Sequence, residues 1–91
     1  MAQVIVTMKI MPESPDTDLS ALEKKATHSI HEFGGQVGKV DIEPIAFGLK
    51  ALKILFLMNE EKGSTDSLEQ EISGHPGVNS VDVIDIRRAI G

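Results

Sequence analysis

Pro44-Ile45-Ala46-Phe47-Gly48-Leu49-Lys50-Ala51-Leu52-Lys53-Ile54-Leu55-Phe56-Leu57-Met58-Asn59 contains the most apolar run in the chain. From Leu49 to Met58 only Lys50 and Lys53 are polar. A run that is apolar at both parities reads as a strand covered on both faces, and so as a central strand of a sheet. A buried helix segment could share this length. The enrichment in Ile, Leu and Phe, and the Phe47-Gly48 break before the run, favour the strand. The first half of the stretch is different. Phe47 is one of only three aromatic residues, and it sits on a connection that follows a proline. A large apolar ring there is either folded back onto the core or held out for a partner.

Working outward, Gln3 to Met11 places Val4, Val6, Met8 and Ile10 on one side and Ile5, Thr7, Lys9 and Met11 on the other. This too is a strand with two largely apolar faces, hence interior. Pro12-Glu13-Ser14-Pro15-Asp16 is a loop, because each proline fixes φ and disfavours helix at the residue before it. Asp16, Thr17 and Asp18 are consecutive N-cap candidates for a helix to about Phe33. Leu19, Leu22, Ala26, Ile30 and Phe33 fall on one stripe of that helix. Gly34-Gly35 ends it, since glycine accepts the left-handed C-cap conformation.

Gln36 to Ile45 is a weaker strand, and Pro44 cannot donate to a ladder, so it belongs at a sheet edge. Glu60 to Gly63 is a turn. A short helix with Leu68 and Ile72 on one face follows, with Ser64, Thr65 and Asp66 as cap candidates and Asp66 and Glu69 at capping-box spacing. Gly74-His75-Pro76-Gly77 stops it, and Val78 to Ile86 is the last strand, followed by Arg87-Arg88-Ala89-Ile90-Gly91.

The order is βαββαβ. With right-handed crossovers it gives an α/β (α+β) sandwich of ferredoxin-like topology: a four-stranded antiparallel sheet with both helices on one face. The first and third strands are then central. The uncovered sheet face is fairly apolar and suggests an interaction surface, or burial by the chain ends.

The 91 residues are expected to form one domain, 1–91. There are no cysteines, which removes disulfides, thiolate metal sites and thiol nucleophiles, and is compatible with a reducing, cytoplasmic setting. No 18-residue apolar segment is present, so no membrane partner is expected. Met1-Ala2-Gln3-Val4 lacks the basic and apolar parts of a secretory leader. A formal charge of −5, with 9 Lys+Arg against 14 Asp+Glu, argues against direct nucleic-acid binding. The absence of Trp and Tyr removes most of the usual base-stacking platform.

Catalytic and metal chemistry finds little support. His28 and His31 are three apart on the first helix, but His28 points to the solvent side and no third ligand is evident. His75 is a turn residue. Asp82 and Asp85, three apart on a strand, are expected on opposite faces. Gly34-Gly35-Gln36-Val37-Gly38 is a helix exit rather than a phosphate cradle. An acylphosphatase-like enzyme would want an arginine in the loop after the first strand, and a metal chaperone would want paired cysteines there. Neither is present, so no enzyme activity, cofactor or metal is expected. Phe47 beside Gly48, and Arg87-Arg88 near the end of an acidic chain, remain as candidate contact residues.

Ile45-Ala46-Phe47-Gly48-Leu49-Lys50-Ala51-Leu52-Lys53-Ile54, Asn59-Glu60-Glu61-Lys62, Asp66-Ser67-Leu68-Glu69-Gln70 and Val78-Asn79-Ser80-Val81-Asp82-Val83 together resemble the exchange domain of the translation elongation factor 1-beta family, in its short archaeal form. The resemblance implies the same ferredoxin-like fold. It implies guanine-nucleotide exchange on the GTPase elongation factor 1-alpha, met in its GDP-bound and nucleotide-free states. It implies partner binding through Phe47 and Gly48, away from the nucleotide. The last strand would reach the magnesium and phosphate region, where a near-terminal lysine of the eukaryotic relatives falls on Arg88 or Arg87. Arginine keeps that charge but is larger and forked. The rival expectation is a ligand-binding or oligomerisation module acting through the open sheet face.

Overall fold

The computed structural model describes residues 2–89. Met1, on which part of the leader expectation falls, and Ile90 and Gly91, which follow the arginine pair, lie outside the described residues. Strand β1 spans Gln3–Pro12, and its side chains alternate between a buried and a half-covered face. Helix α1, Leu19–Phe33, starts where Asp18 accepts hydrogen bonds from the N–H groups of Ser20 and Ala21. Of the three cap candidates it is therefore Asp18 that serves. The helix ends at Gly34, in the left-handed conformation at φ 104°.

Strand β2, Gln36–Pro44, and β3, Lys50–Asn59, form a hairpin; a 3-10 turn, Glu60–Lys62, leads to helix α2, Asp66–Ser73, and then to β4, Val78–Arg88. The sheet order is β2-β3-β1-β4 with every pairing antiparallel. The two strands read as interior are the central ones, and Pro44 closes an edge strand.

The core lies between the sheet and the helices. Val6, Met8 and Ile10 of β1 and Leu52, Ile54, Phe56 and Met58 of β3 meet Leu22, Ala26 and Ile30 of α1 and Leu68 and Ile72 of α2. Each of these side chains larger than alanine contributes about 1.5–3 kcal/mol when fully buried, which locates most of the stabilisation on the helix-covered side. Gly35 lets β2 enter against this core: a Cβ there would lie 2.9 Å from Ile30 Cγ2 and 3.0 Å from Phe56 Cδ2.

Ser29 is also buried, which the apolar stripe did not indicate, and its hydroxyl lies 2.9 Å from His75 Nε2. That bond ties α1 to the loop before β4. No buried side-chain nitrogen or oxygen among the described residues lacks a partner.

Three expectations are corrected. Thr65, not Asp66, occupies the N-cap of α2, and its hydroxyl donates to Glu69 Oε2 at 2.8 Å, so the capping box is replaced by a side-chain bond one residue out of step. Arg87 and Arg88 do not follow the last strand but are the last residues of β4, opposite Ile5 and Val4. Asp82 and Asp85 share a face, opposite Lys9 and Thr7, because a bulge at Ile84 adds one residue to β4 between them.

Candidate partner-binding site

The β2–β3 hairpin closes through Ala46-Phe47-Gly48-Leu49. Leu49 N–H donates to the Ala46 carbonyl at 2.9 Å, and Ile45 N–H donates to the Leu49 carbonyl at 2.9 Å. Phe47 has φ 54° and Gly48 φ 79°, and positive φ at both central positions is the mark of a type I′ turn. Glycine takes that conformation freely, whereas a phenylalanine is disfavoured by the clash of its Cβ with the following carbonyl. Phe47 is the only non-glycine residue with positive φ among those described. Its side chain is 96% exposed. The ring is therefore held out, on a strained backbone, instead of folding onto the core. Pro15 lies beside the turn, its Cβ 3.7 Å from where a Gly48 Cβ would stand. Ile42 and Ile45, on the same hairpin, are exposed as well.

The arginines lie at the other end of the sheet. Pro44 pairs with Lys50 beside the Phe47 turn, while Arg88 pairs with Val4 at the start of β1. The strand β1 between these ends has 10 residues, so the separation is roughly 30 Å at the usual rise per residue. Arg87 and Arg88 point to opposite faces. On the open face Arg87 Nε lies 2.9 Å from Asp85 Oδ2. On the helix-covered face Arg88 Nη2 donates to Glu60 Oε1 at 2.7 Å. That hydrogen bond, together with the charge of Glu60, holds the Arg88 pKa above the ordinary arginine value. Exposed Ile84 and Ile86 accompany the arginines on β4.

The open sheet face carries half-buried Ile5, Leu55 and Leu57 towards the Arg87 end. Asp41, Lys53, Lys9 and Asp82 form one row across all four strands. Lys53 also lies 3.5 Å from Glu43. Acids flanking two lysines offset the like-charge pair at the centre.

The histidines stay apart from this geometry. His28 and His31 are exposed on α1, with His28 Nε2 3.5 Å from Glu32 Oε1. No group of three or more His, Asp or Glu among the described residues is arranged to hold a metal ion. No described helix is long and apolar enough to cross a membrane.

The sequence singles out Phe47, Gly48, Arg87 and Arg88 as candidates but does not point to the acids that hold the arginines. Glu60 is far from Arg88 in the chain. Only the strand register, with Val4 beside Arg88 and Ala2 bonded to Glu60, brings them together.

Comparison with known proteins defines the class first. The family described as "EF-1 guanine nucleotide exchange domain" matches residues 5–89. Individual relatives then agree. An elongation factor 1-beta from Methanothermobacter thermautotrophicus is 46% identical over 88 residues, covering 97% of this chain and 98% of that protein. Another from Methanococcoides burtonii is 42% identical over 90 residues, covering 99% and 100%. The chain belongs to the EF-1 guanine nucleotide exchange domain family, whose members act as exchange factors in translation elongation.

Among solved structures, the ACT domain of a GTP pyrophosphokinase from Chlorobium tepidum matches with TM-score 0.62 at 16% identity, covering 90% of this chain and 99% of that one. The C-terminal domain of MgtC from Mycobacterium tuberculosis matches with TM-score 0.63 at 15% identity, covering 97% and 88%. At these identities the likeness is one of fold alone.

Proposed function

We propose that this chain promotes GDP/GTP exchange on elongation factor 1-alpha by gripping it at two separated points, and that residues 1–91 act as one domain in the cytoplasm. The observation that carries the docking point is Phe47: an aromatic ring 96% exposed, on a turn that would be less strained without it. Burial in an apolar pocket of the partner would recover about 1.5–3 kcal/mol for such a side chain. Gly48 allows the turn that presents it.

At the far end of the sheet, Arg88 is the better placed of the two arginines to act as an intruding cation. It is the last residue of β4 and projects on the face away from Arg87. On a GTPase the nucleotide and its magnesium ion hold each other in place. A protein that binds the emptied state more tightly than the loaded one shifts the equilibrium toward release. A guanidinium near the magnesium site would compete for the same acidic and phosphate oxygens. No bond is made or broken, so the chain acts without cofactor or metal of its own and is not an enzyme in the chemical sense. An acidic surface of this kind has no call for direct nucleic-acid contact.

The test is release of fluorescent GDP from the cognate elongation factor 1-alpha in stopped flow. Acceleration that saturates with this protein supports the proposal, and no acceleration at micromolar concentrations overturns it. Phe47→Ala is expected to raise the half-saturating concentration. Arg88→Ala is expected to slow release at saturation while leaving binding mostly intact.

A further inference from the structure

We infer that Glu60 is a positioning residue that restrains Arg88 until a partner's own acidic or phosphate oxygens replace it. This rests on the proposal that Arg88 acts on the GTPase. The pair is short, with Arg88 Nη2 2.7 Å from Glu60 Oε1, at the tight end of the range for a charge-assisted bond.

Its two sides are unequally anchored. Glu60 opens the 3-10 turn Glu60–Lys62, its N–H donates to the Ala2 carbonyl at 3.0 Å, and Asn59 Oδ1 accepts from Glu61 N–H at 2.9 Å. The backbone that carries Glu60 is thus held in place. Arg88 reaches the carboxylate with a long side chain from the last position of β4. The side chains are 71% and 41% exposed, and pairs so open to water contribute little to folding. The contact is thus poorly explained as a brace for the fold. It does set where the guanidinium points in the free protein.

A site made of carboxylate and phosphate oxygens offers the guanidinium the same kind of acceptor as Glu60. Arg88 can enter it only by exchanging one for the other, so the internal pair opposes the step. Arg87 differs, because its acid, Asp85, lies on its own strand and on the opposite sheet face.

Glu60→Gln keeps the shape and one acceptor oxygen but removes the charge. It is expected to raise the second-order rate of GDP release about two- to fivefold, the range for losing an exposed ion pair. The melting temperature should stay unchanged. Glu61→Gln, which removes a neighbouring charge that does not touch Arg88, is expected to leave the rate as it is. In an Arg88→Ala background Glu60→Gln should have no further effect. Added salt, which screens the pair, should narrow the gap between wild type and Glu60→Gln.

If Arg88→Ala slows release but Glu60→Gln does not accelerate it, the role of Glu60 is overturned and that of Arg88 stands. Equal acceleration by Glu61→Gln also overturns it, in favour of a general charge effect. If Arg88→Ala itself behaves as wild type, the underlying proposal for Arg88 fails and this one with it.

Discussion

Phe47 and Phe56 are the same residue type nine positions apart, and they obey opposite forces. Phe56 is 1% exposed in the core and Phe47 is 96% exposed on a turn. Truncating Phe56 to Ala should cost about 3–5 kcal/mol, typical of a large core aromatic. Truncating Phe47 should cost almost nothing in stability. A sharper test uses Asn, which tolerates positive φ and favours the first central position of a type I′ turn. Phe47→Asn relieves strain of about 1 kcal/mol, so the melting temperature should rise by roughly 4–8 °C in a domain of this size. Exchange should weaken in the same variant. Thermal melts together with GDP-release assays would show the two effects with opposite signs. A fall in melting temperature would mean that the ring supports the fold after all.

The elements themselves were largely legible in the chain. Two-sided apolarity marked β1 and β3 as central, Pro44 marked β2 as an edge, and Asp18 and Gly34 bound α1 as their chemistry predicts. Asp18→Ala is expected to lower stability by about 1 kcal/mol through the lost cap, while GDP release per folded molecule stays unchanged. A matching loss of exchange would mean that the loop beside the Phe47 turn also touches the partner. What the chain could not show depends on register. The bulge at Ile84 leaves no local signature, yet it turns Asp82 and Asp85 onto one face. The same register carries β4 on to Arg88 and decides which arginine takes the helix-covered face. Phe47 was undecided for a related reason: a ring next to a glycine on a connection is compatible with either direction. The exposure of the ring on its tight turn decides it.

The molecule is elongated, 42 × 21 × 17 Å, and its exposed large apolar residues fall into two groups at opposite edges of the sheet. Ile42, Ile45 and Phe47 belong to the β2–β3 hairpin, and Ile84 and Ile86 to β4 beside the arginines. Across roughly 30 Å of strand the two ends share no side-chain contact. Substitutions at sites so far apart usually combine within about 0.3–0.5 kcal/mol. Phe47→Ala and Arg88→Ala should therefore multiply in their effects on the second-order rate of GDP release, to within about twofold. Each should also keep its own signature, with Phe47→Ala acting on half-saturation and Arg88→Ala on the saturated rate. A double variant no slower than the worse single one would mean that both residues serve one step at one contact. The two-point grip would then be wrong, even if the chain still exchanges nucleotide.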